Sequence, residues 1–174
     1  MTIPLDARVL ELNGEKAVED TCRRMREILS RDLSRRGFVI AMSGGIDSSV
    51  CAALAVKAIG PERVFGLLLP ERDSSGFSTR RGKLLAEHLQ IQYEIHDIAS
   101  TLEAIGCYRW RDEAIRKVFP QYGDGWKNKI VISGGIEGQI NHFQLVVQTP
   151  GGEFHQERLG LREYLQIVAA TNYK

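Results

Sequence analysis

The chain lacks any apolar run that approaches the ~18 residues needed to span a bilayer. Its first residues also lack the basic segment and apolar core of a secretory signal. We therefore expect no membrane partner and no secretion. Cysteine is scarce, and Cys22, Cys51 and Cys107 have no metal-ligand spacing, which argues against both a disulfide framework and a zinc site. These residues indicate reduced thiols, and we expect a cytoplasmic protein.

An excess of charge of one sign is also missing. The chain has 23 Lys and Arg residues against 22 Asp and Glu residues, which leaves a net charge of +1. This balance creates no field suited to nucleic acid, so we expect no nucleic-acid partner and favour a small molecule. Histidines are few and have no ligand-like spacing, so no metal is assigned to them.

What the sequence does contain is an alternation of strand and helix patterns. Short apolar runs predict strands at residues 38–42, 64–69 and 91–96, the first of them covered on both faces. Apolar positions spaced three and four apart predict helices at residues 15–36, 48–59 and 78–89. In the last of these, the residues expected to face inward are Leu84, Leu85, His88 and Leu89. The alternation predicts an α/β fold with a doubly wound, Rossmann-like parallel sheet.

The second half of the chain has a different order of predicted helices and strands. We predict helices at 99–105 and 111–119, a strand at 129–132, and an antiparallel hairpin that joins 143–148 to 153–156. A last helix is expected at 161–174. We interpret residues 107–158 as a β-hairpin excursion inserted into a single domain, residues 1–174. The chain ends inside a predicted helix without a cap, and we expect it to be an incomplete piece of a longer protein.

The turn at residues 43–49, SGGIDSS, carries the clearest chemistry. Gly44 and Gly45 allow the backbone to approach a phosphate, and the N–H groups of the following helix point at the same anion. Asp47 would repel a bare phosphate unless a divalent cation lies between them, so its simplest role is a Mg²⁺ ligand. The alternative is an ordinary tight turn in which Asp47 caps the helix. The position between a buried strand and a helix favours nucleotide binding.

Residues 43–49 resemble the pyrophosphate loop of the N-type ATP pyrophosphatases, and they lack the lysine of a Walker A loop. The strand that ends in LPERDSS, residues 69–75, and the helix after it resemble the NAD synthetases in particular. The resemblance covers residues 14–102 and resumes at 168–174, where Thr171 replaces the family's glycine. The resemblance implies attack of a substrate oxygen on the α-phosphate of ATP, release of pyrophosphate, and displacement of AMP by an amine.

The resemblance also implies the substrates, which are deamido-NAD and ammonia, and a homodimer. It assigns the nucleotide contacts to Met42, Ser43, Gly44, Gly45, Ile46, Asp47, Ser48, Ser49 and Leu69. Mg²⁺ is assigned to Asp47. No residue is assigned to catalysis, and none of the three cysteines lies in a recognisable nucleophile setting, so glutamine is not expected as the ammonia source.

Two other functions stay open at this point. One is an N-type pyrophosphatase that amidates a different carboxylate, and the other is a non-catalytic ATP-binding module. Residues 122–125, YGDG, and the second glycine pair at 134–135 are interpreted as ordinary turns. Arg72, Arg80 and Arg81 follow a strand end, where they would either contact a phosphate or lie in a solvated loop.

Overall fold

The structure is a computed structural model that describes residues 11–134 and 141–171. It divides into two compact units, residues 1–99 and residues 100–174. The expectation of a single domain with an insertion over residues 107–158 stays a prediction. No helix in the described ranges is long and apolar enough to cross a membrane.

The first unit contains three parallel strands in the order β1-β2-β3 and the three helices that connect and flank them. Their bounds are α1 Gly14–Glu27, β1 Phe38–Ala41, α2 Ile46–Ile59, β2 Val64–Leu68, α3 Gly76–His88 and β3 Gln92–Ile95. A π-helical turn, Ile28–Asp32, extends α1, and a 3₁₀ turn, Pro61–Arg63, precedes β2. The predicted α/β class with a parallel sheet is confirmed.

The first helical segment ends earlier than expected. It stops at Asp32, and Ser34 adopts a positive φ of 50°, so the predicted extension to residue 36 is wrong. Gly37 does not end the helix. A Cβ at this position would overlap the carbonyl oxygen of Arg63, so Gly37 allows the chain to pass close to the start of β2.

One face of the parallel sheet carries the core of the first unit. Phe38, Ile40, Val64 and Leu68 belong to a cluster that also takes in apolar residues of α1, α2 and α3. On the opposite face Val39 is 68% exposed. The expectation that the first strand is covered on both faces is therefore wrong.

Helix α3 packs through small residues. Gly82 and Ala86 are buried, and a Cβ on Gly82 would lie 2.8 Å from Leu68 Cδ2 and 3.2 Å from the carbonyl oxygen of Met42. Leu84 is 66% exposed and His88 is also exposed, so their predicted inward orientation is wrong. The periodicity predicted the helix correctly. Its buried face, however, is the one that carries Gly82 and Ala86, where the helix backbone can lie close to the backbone of Met42.

The second unit pairs two helices with an antiparallel sheet. Its elements are α5 Cys107–Arg116, β4 Lys127–Ser133, β5 His142–Gln148, β6 Phe154–Arg158 and α6 Leu161–Thr171, and α4 (Ala99–Ala104) begins at its boundary. The strand order is β4-β5-β6, and both neighbouring pairs are antiparallel. The predicted hairpin is confirmed as β5 and β6, and β4 adds a third strand. Leu145, Val147, Ile115 and Ile167 lie in its core.

Arg111 is a buried cation of this second unit. Its side chain is 7% exposed, and its Nε and Nη2 donate to Asp112 Oδ1 at 2.9 and 2.8 Å. The guanidinium also lies 5.7 Å from the ring centroid of buried Tyr108. A buried charge needs such partners, because an unpaired one is costly to remove from water.

Candidate functional site

The turn at residues 43–49 lies at the carboxyl end of β1. The Met42 N–H donates to the Leu67 carbonyl at 2.9 Å, so the parallel pairing with β2 continues to the edge of the turn. The Met42 side chain is only 4% exposed and belongs to the core. Gly66 makes room for it, since a Cβ there would lie 2.7 Å from Met42 Sδ. Of the residues predicted to contact a nucleotide, Met42 can therefore offer only its backbone.

Gly44 is required by the geometry of this turn. Its φ is +74°, and an added Cβ would overlap the carbonyl oxygen of Ser78 in α3 and lie 3.1 Å from Arg81 Cβ. An L-residue is disfavoured on both grounds. Gly45 has an extended backbone and is the N-cap of α2 without a side-chain contribution. The close approach of loop and helix thus depends on one glycine.

The serines organise the loop before any ligand arrives. The Ser43 N–H donates to Ser48 Oγ at 3.3 Å, and the two hydroxyls are 3.1 Å apart. The Ser48 and Ser49 hydroxyls donate to the Gly45 carbonyl at 3.1 and 2.8 Å. These internal contacts hold the loop in a single turn at the start of the helix.

Helix α2 begins at Ile46, two residues earlier than predicted. The N–H groups of the first turn of a helix have no intrahelical acceptor, and they give that end a partial positive charge. Ile46, Asp47 and Ser48 occupy this turn, and the Ile46 side chain is exposed. The turn therefore presents backbone donors and serine hydroxyls at one place, which is the chemistry that an anion requires.

Asp47 lies in the same turn and is exposed. Within residues 11–134 and 141–171, its carboxylate makes no hydrogen bond or ion pair, and no group of three or more His, Cys, Asp or Glu residues could hold a metal. An exposed carboxylate beside phosphate donors fits a hydrated Mg²⁺ that is also bound by phosphate oxygens. It does not fit a metal site made by protein ligands alone.

The first turn of α3 borders the loop, and the sequence did not point to it. Ser75 caps α3 by accepting from the Ser78 N–H at 3.2 Å, and the two hydroxyls are 2.9 Å apart. The Ser78 carbonyl and Arg81 Cβ lie next to Gly44, and the Arg81 guanidinium lies 5.8 Å from the Phe77 ring centroid. Arg81 therefore begins beside the loop, while Arg72 pairs with Asp73 at 3.3 Å. Ser75 is a residue type favoured at a helix N-cap, so the sequence could indicate where α3 begins but not that its first turn lies beside Gly44.

The end of β2 forms a second part of the same edge. Leu69 is 38% exposed, and the segment after β3 runs beside it, because the His96 N–H donates to Leu68 and the Ile98 N–H to Pro70, at 3.0 and 2.9 Å. Next along the chain, Glu71 is 6% exposed and accepts from the Asp73 N–H at 3.0 Å. This buried carboxylate holds the turn that leads into α3.

The other predicted turns have different surroundings. Residues 122–125 lie in the second unit, where the Tyr122 carbonyl accepts from Arg116 Nε at 3.0 Å and the Tyr122 hydroxyl from Asn128 Nδ2 at 2.7 Å. Gly134, the first residue of the second glycine pair, has a positive φ of 100°. Its partner at position 135 lies outside the described residues, as do residues 136–140.

Known proteins resemble this chain over most of its length. An NH(3)-dependent NAD(+) synthetase of Mesorhizobium japonicum is 47% identical over 95% of this chain and 52% of its own length. An enzyme of the same name from Rhizobium meliloti is 50% identical over 83% of this chain and 43% of its own length. The chain spans about half the length of the curated relatives it matches.

The fold is shared with a solved structure. The NH3-dependent NAD synthetase from Campylobacter jejuni, in complex with the nitrate ion, matches with a TM-score of 0.51 and 28% identity, over 62% of this chain and 50% of that one. The family model for NAD synthase matches residues 17–118, which is more than half of the chain and includes the loop at residues 43–49. The chain belongs to the NAD synthase family.

Proposed function

We propose that the chain is part of an ammonia-dependent NAD synthetase. In the proposed reaction a carboxylate oxygen of deamido-NAD attacks the α-phosphorus of ATP, and the bond to the β-phosphate oxygen breaks to release pyrophosphate. Ammonia then attacks the acyl carbon, AMP leaves with the bonding electron pair, and the nitrogen loses a proton to solvent, so that the amide of NAD is formed. The observation that carries this proposal is the preorganised anion-binding turn in a chain of this family.

The proposed role of the loop is to hold the pyrophosphate portion of ATP. The first-turn N–H groups of α2 and the hydroxyls of Ser43 and Ser48 are the donors that support it. Gly44 and Gly45 keep side chains away from the phosphates, and Leu69 lies at the same sheet edge, where the resemblance assigns adenosine contacts. Donors that are in place before reaction stabilise the negative charge of the leaving pyrophosphate.

Asp47 is proposed to hold Mg²⁺, which would neutralise phosphate charge when bound. The exposed carboxylate, without an ion-pair partner among the described residues, supports this role. Arg81, beside Gly44, is proposed as a further phosphate contact, because a guanidinium matches phosphate geometry and its position is set by α3.

Three further properties are proposed from the family. The whole protein would be a homodimer and would lie in the cytoplasm, where ATP is made and used. Ammonia rather than glutamine is the proposed nitrogen source, in keeping with the names of the relatives.

The test is turnover by the whole protein with ATP, Mg²⁺, deamido-NAD and ammonium. We expect equal amounts of NAD and pyrophosphate, and no NAD when glutamine replaces ammonium. Ser48→Ala should lower kcat/KM for ATP about 10-fold or more, because a hydrogen bond to a charged group is lost. Ser30→Ala is the matched control, since the Ser30 hydroxyl also donates to a backbone carbonyl, that of Arg26, at 2.8 Å.

The same assay separates the two alternatives. Pyrophosphate release that requires another carboxylate in place of deamido-NAD would indicate a different amidating enzyme. ATP binding without any pyrophosphate release, with every acceptor offered, would indicate a binding module and would reject the proposed reaction.

A further inference from the structure

Within the residues that the structure describes, strand β6 is an edge strand whose side chains are exposed on both faces. It occupies the end position in the order β4-β5-β6, and all five of its residues are exposed, with Phe154 at 69%. An edge strand offers unpaired backbone groups to another strand, and proteins commonly protect such edges with lysine, proline or a bulge. Phe154–Arg158 contains no lysine, proline or bulge; its protection is limited to its short length and to the charges of Glu157 and Arg158, which a strand of complementary charge can match.

The backbone groups that point outward can be identified from the pairing with β5. The Thr149 N–H donates to Glu153, and the Leu159 N–H donates to Phe143, both at 2.9 Å. Hydrogen-bonded pairs alternate along an antiparallel ladder, so the odd-numbered residues of β6 point their N–H and C=O groups toward β5. Phe154, Gln156 and Arg158 therefore point theirs away from it, toward a side where the described chain has no strand.

The side chains of β6 are complementary to a second copy of the same strand. If two copies run antiparallel with Gln156 opposite Gln156, Phe154 faces Arg158 and His155 faces Glu157 in both halves. These pairs combine an aromatic ring with a guanidinium and an imidazole with a carboxylate, both of which are favourable across strands.

The two neighbouring registers of this pairing are electrostatically less favourable. A shift centred on His155 places Glu153 opposite Glu157, and one centred on Glu157 places the two Glu157 carboxylates opposite each other. Like charges directly opposite are destabilising. Only the Gln156-centred register of the three avoids this repulsion, and it also brings the outward groups of Phe154, Gln156 and Arg158 into hydrogen-bonding pairs.

We propose that β6 pairs with β6 of a second copy of this chain about a two-fold axis at Gln156, which joins two three-stranded sheets into one of six strands. This contact goes beyond the proposed function, since it requires neither ATP nor an acceptor. Strand β6 lies beyond residue 118, where the family-model match ends. Five residues a side bury less than the roughly 1,000 Å² of a stable interface, so the contact is weak alone and adds to any larger one.

Disulfide trapping tests both the contact and its register. Gln156→Cys in the whole protein, made in a Cys51→Ala background to remove the exposed native thiol, places two thiols opposite each other. Opposite hydrogen-bonded residues have Cα atoms about 5.5 Å apart, which is within disulfide range. We expect Gln156→Cys to cross-link at least about 10-fold faster than Arg158→Cys, whose two copies would lie about 14 Å apart along the strands.

A mixture of two cysteine variants provides the matched positive control for this register. Phe154→Cys and Arg158→Cys, slow to cross-link separately, should form a mixed disulfide when combined. Equal rates for Gln156→Cys and Arg158→Cys, or no mixed disulfide, would overturn the proposal.

A second measurement does not depend on cysteine chemistry. Gln156→Lys places two positive charges at the axis and should raise the dissociation constant of the β6-mediated step about fivefold in sedimentation equilibrium. Gln121→Lys adds the same charge to an exposed position outside the strand and should leave that constant unchanged. Equal effects of the two changes would also contradict the pairing.

Discussion

The loop at residues 43–49 and the turn at residues 122–125 each combine glycine with an aspartate, but they use their backbone groups differently. In the turn, the Tyr122 N–H donates to Phe119 at 2.9 Å and the Trp126 N–H to Gly123 at 3.2 Å. The loop is followed by α2, whose first-turn N–H groups have no acceptor in the helix. The comparison indicates that the element after a glycine-rich turn decides whether backbone N–H groups stay available to an anion.

The same contrast holds between the two units. In residues 1–99, the parallel strands end at one edge, where the exposed Asp47 carboxylate and the first-turn N–H groups of α2 have no acceptor or donor partner within the helix. In residues 100–174, the polar groups of Arg111, Tyr122 and Asn128 contact other parts of the unit. We therefore expect substitutions in the loop at residues 43–49 to change ligand binding and those at the contacts of Arg111 and Tyr122 to change stability.

The largest expected effect is on the stability of the second unit. Arg111→Met should lower the free energy of unfolding by about 3–5 kcal/mol, because it removes one partner of a buried ion pair. Hydrogen exchange of residues 107–116 in the whole protein measures the change. Arg109→Met, at an exposed arginine of the same helix, is the control and should have little effect. ATP affinity that falls as much as stability would break the proposed division of roles.

Gly44→Ala comes next and tests the loop itself. The new Cβ would overlap the Ser78 carbonyl and would force a left-handed backbone on alanine, at a cost of about 1–2 kcal/mol before the overlap is counted. We expect ATP binding to be lost in calorimetry, together with a lower melting temperature. Gly60→Ala has a similar φ of +85° but no atom within 4 Å of the new Cβ, so it should lower stability without affecting ATP binding.

Much of the first unit was predictable from the sequence because its signals are local. Short apolar runs gave β1, β2 and β3 to within about two residues, and the turn at 43–49 was identified from its residue types. The hairpin of β5 and β6 was predicted from the glycines at residues 151–152 between two strand-like runs. These features depend on neighbours in the sequence, which a single chain displays directly.

The errors concern contacts between distant residues. The roles of Gly37 and Gly82 depend on Arg63 and on Met42 and Leu68, which lie elsewhere in the chain. Val39 was expected to be buried because its run is apolar, but no pattern within one strand shows which face receives the helices. Ser78 was missed as a neighbour of the loop for the same reason, since α3 reaches Gly44 only in the folded chain.

The aspartates of the two turns provide the third test. Asp47→Asn should weaken the Mg²⁺-dependent part of ATP binding by at least about 10-fold, because a carboxylate ligand becomes a neutral amide. Titration calorimetry with Mg²⁺ and with a chelator separates that part from the rest. Asp124→Asn, in the turn of the second unit, should change neither value. Equal losses for the two variants would reject Asp47 as the metal ligand.

The smallest expected effect is at Tyr122, in the turn at residues 122–125, which the sequence indicates to be an ordinary turn. Tyr122→Phe removes the acceptor for Asn128 Nδ2, whose hydrogen bond is 2.7 Å long, and leaves the edge-to-face contact with Trp126 in place. We expect a loss of about 1 kcal/mol in the free energy of unfolding, which is typical of one hydrogen bond whose partner remains. Kinetic constants for ATP should not change. Asn128→Ala combined with Tyr122→Phe should be less destabilising than the sum of the two single changes, because both remove the same bond. Additive losses would show that the bond is not the source of the effect, and a lower kcat/KM would show that this turn takes part in the site after all.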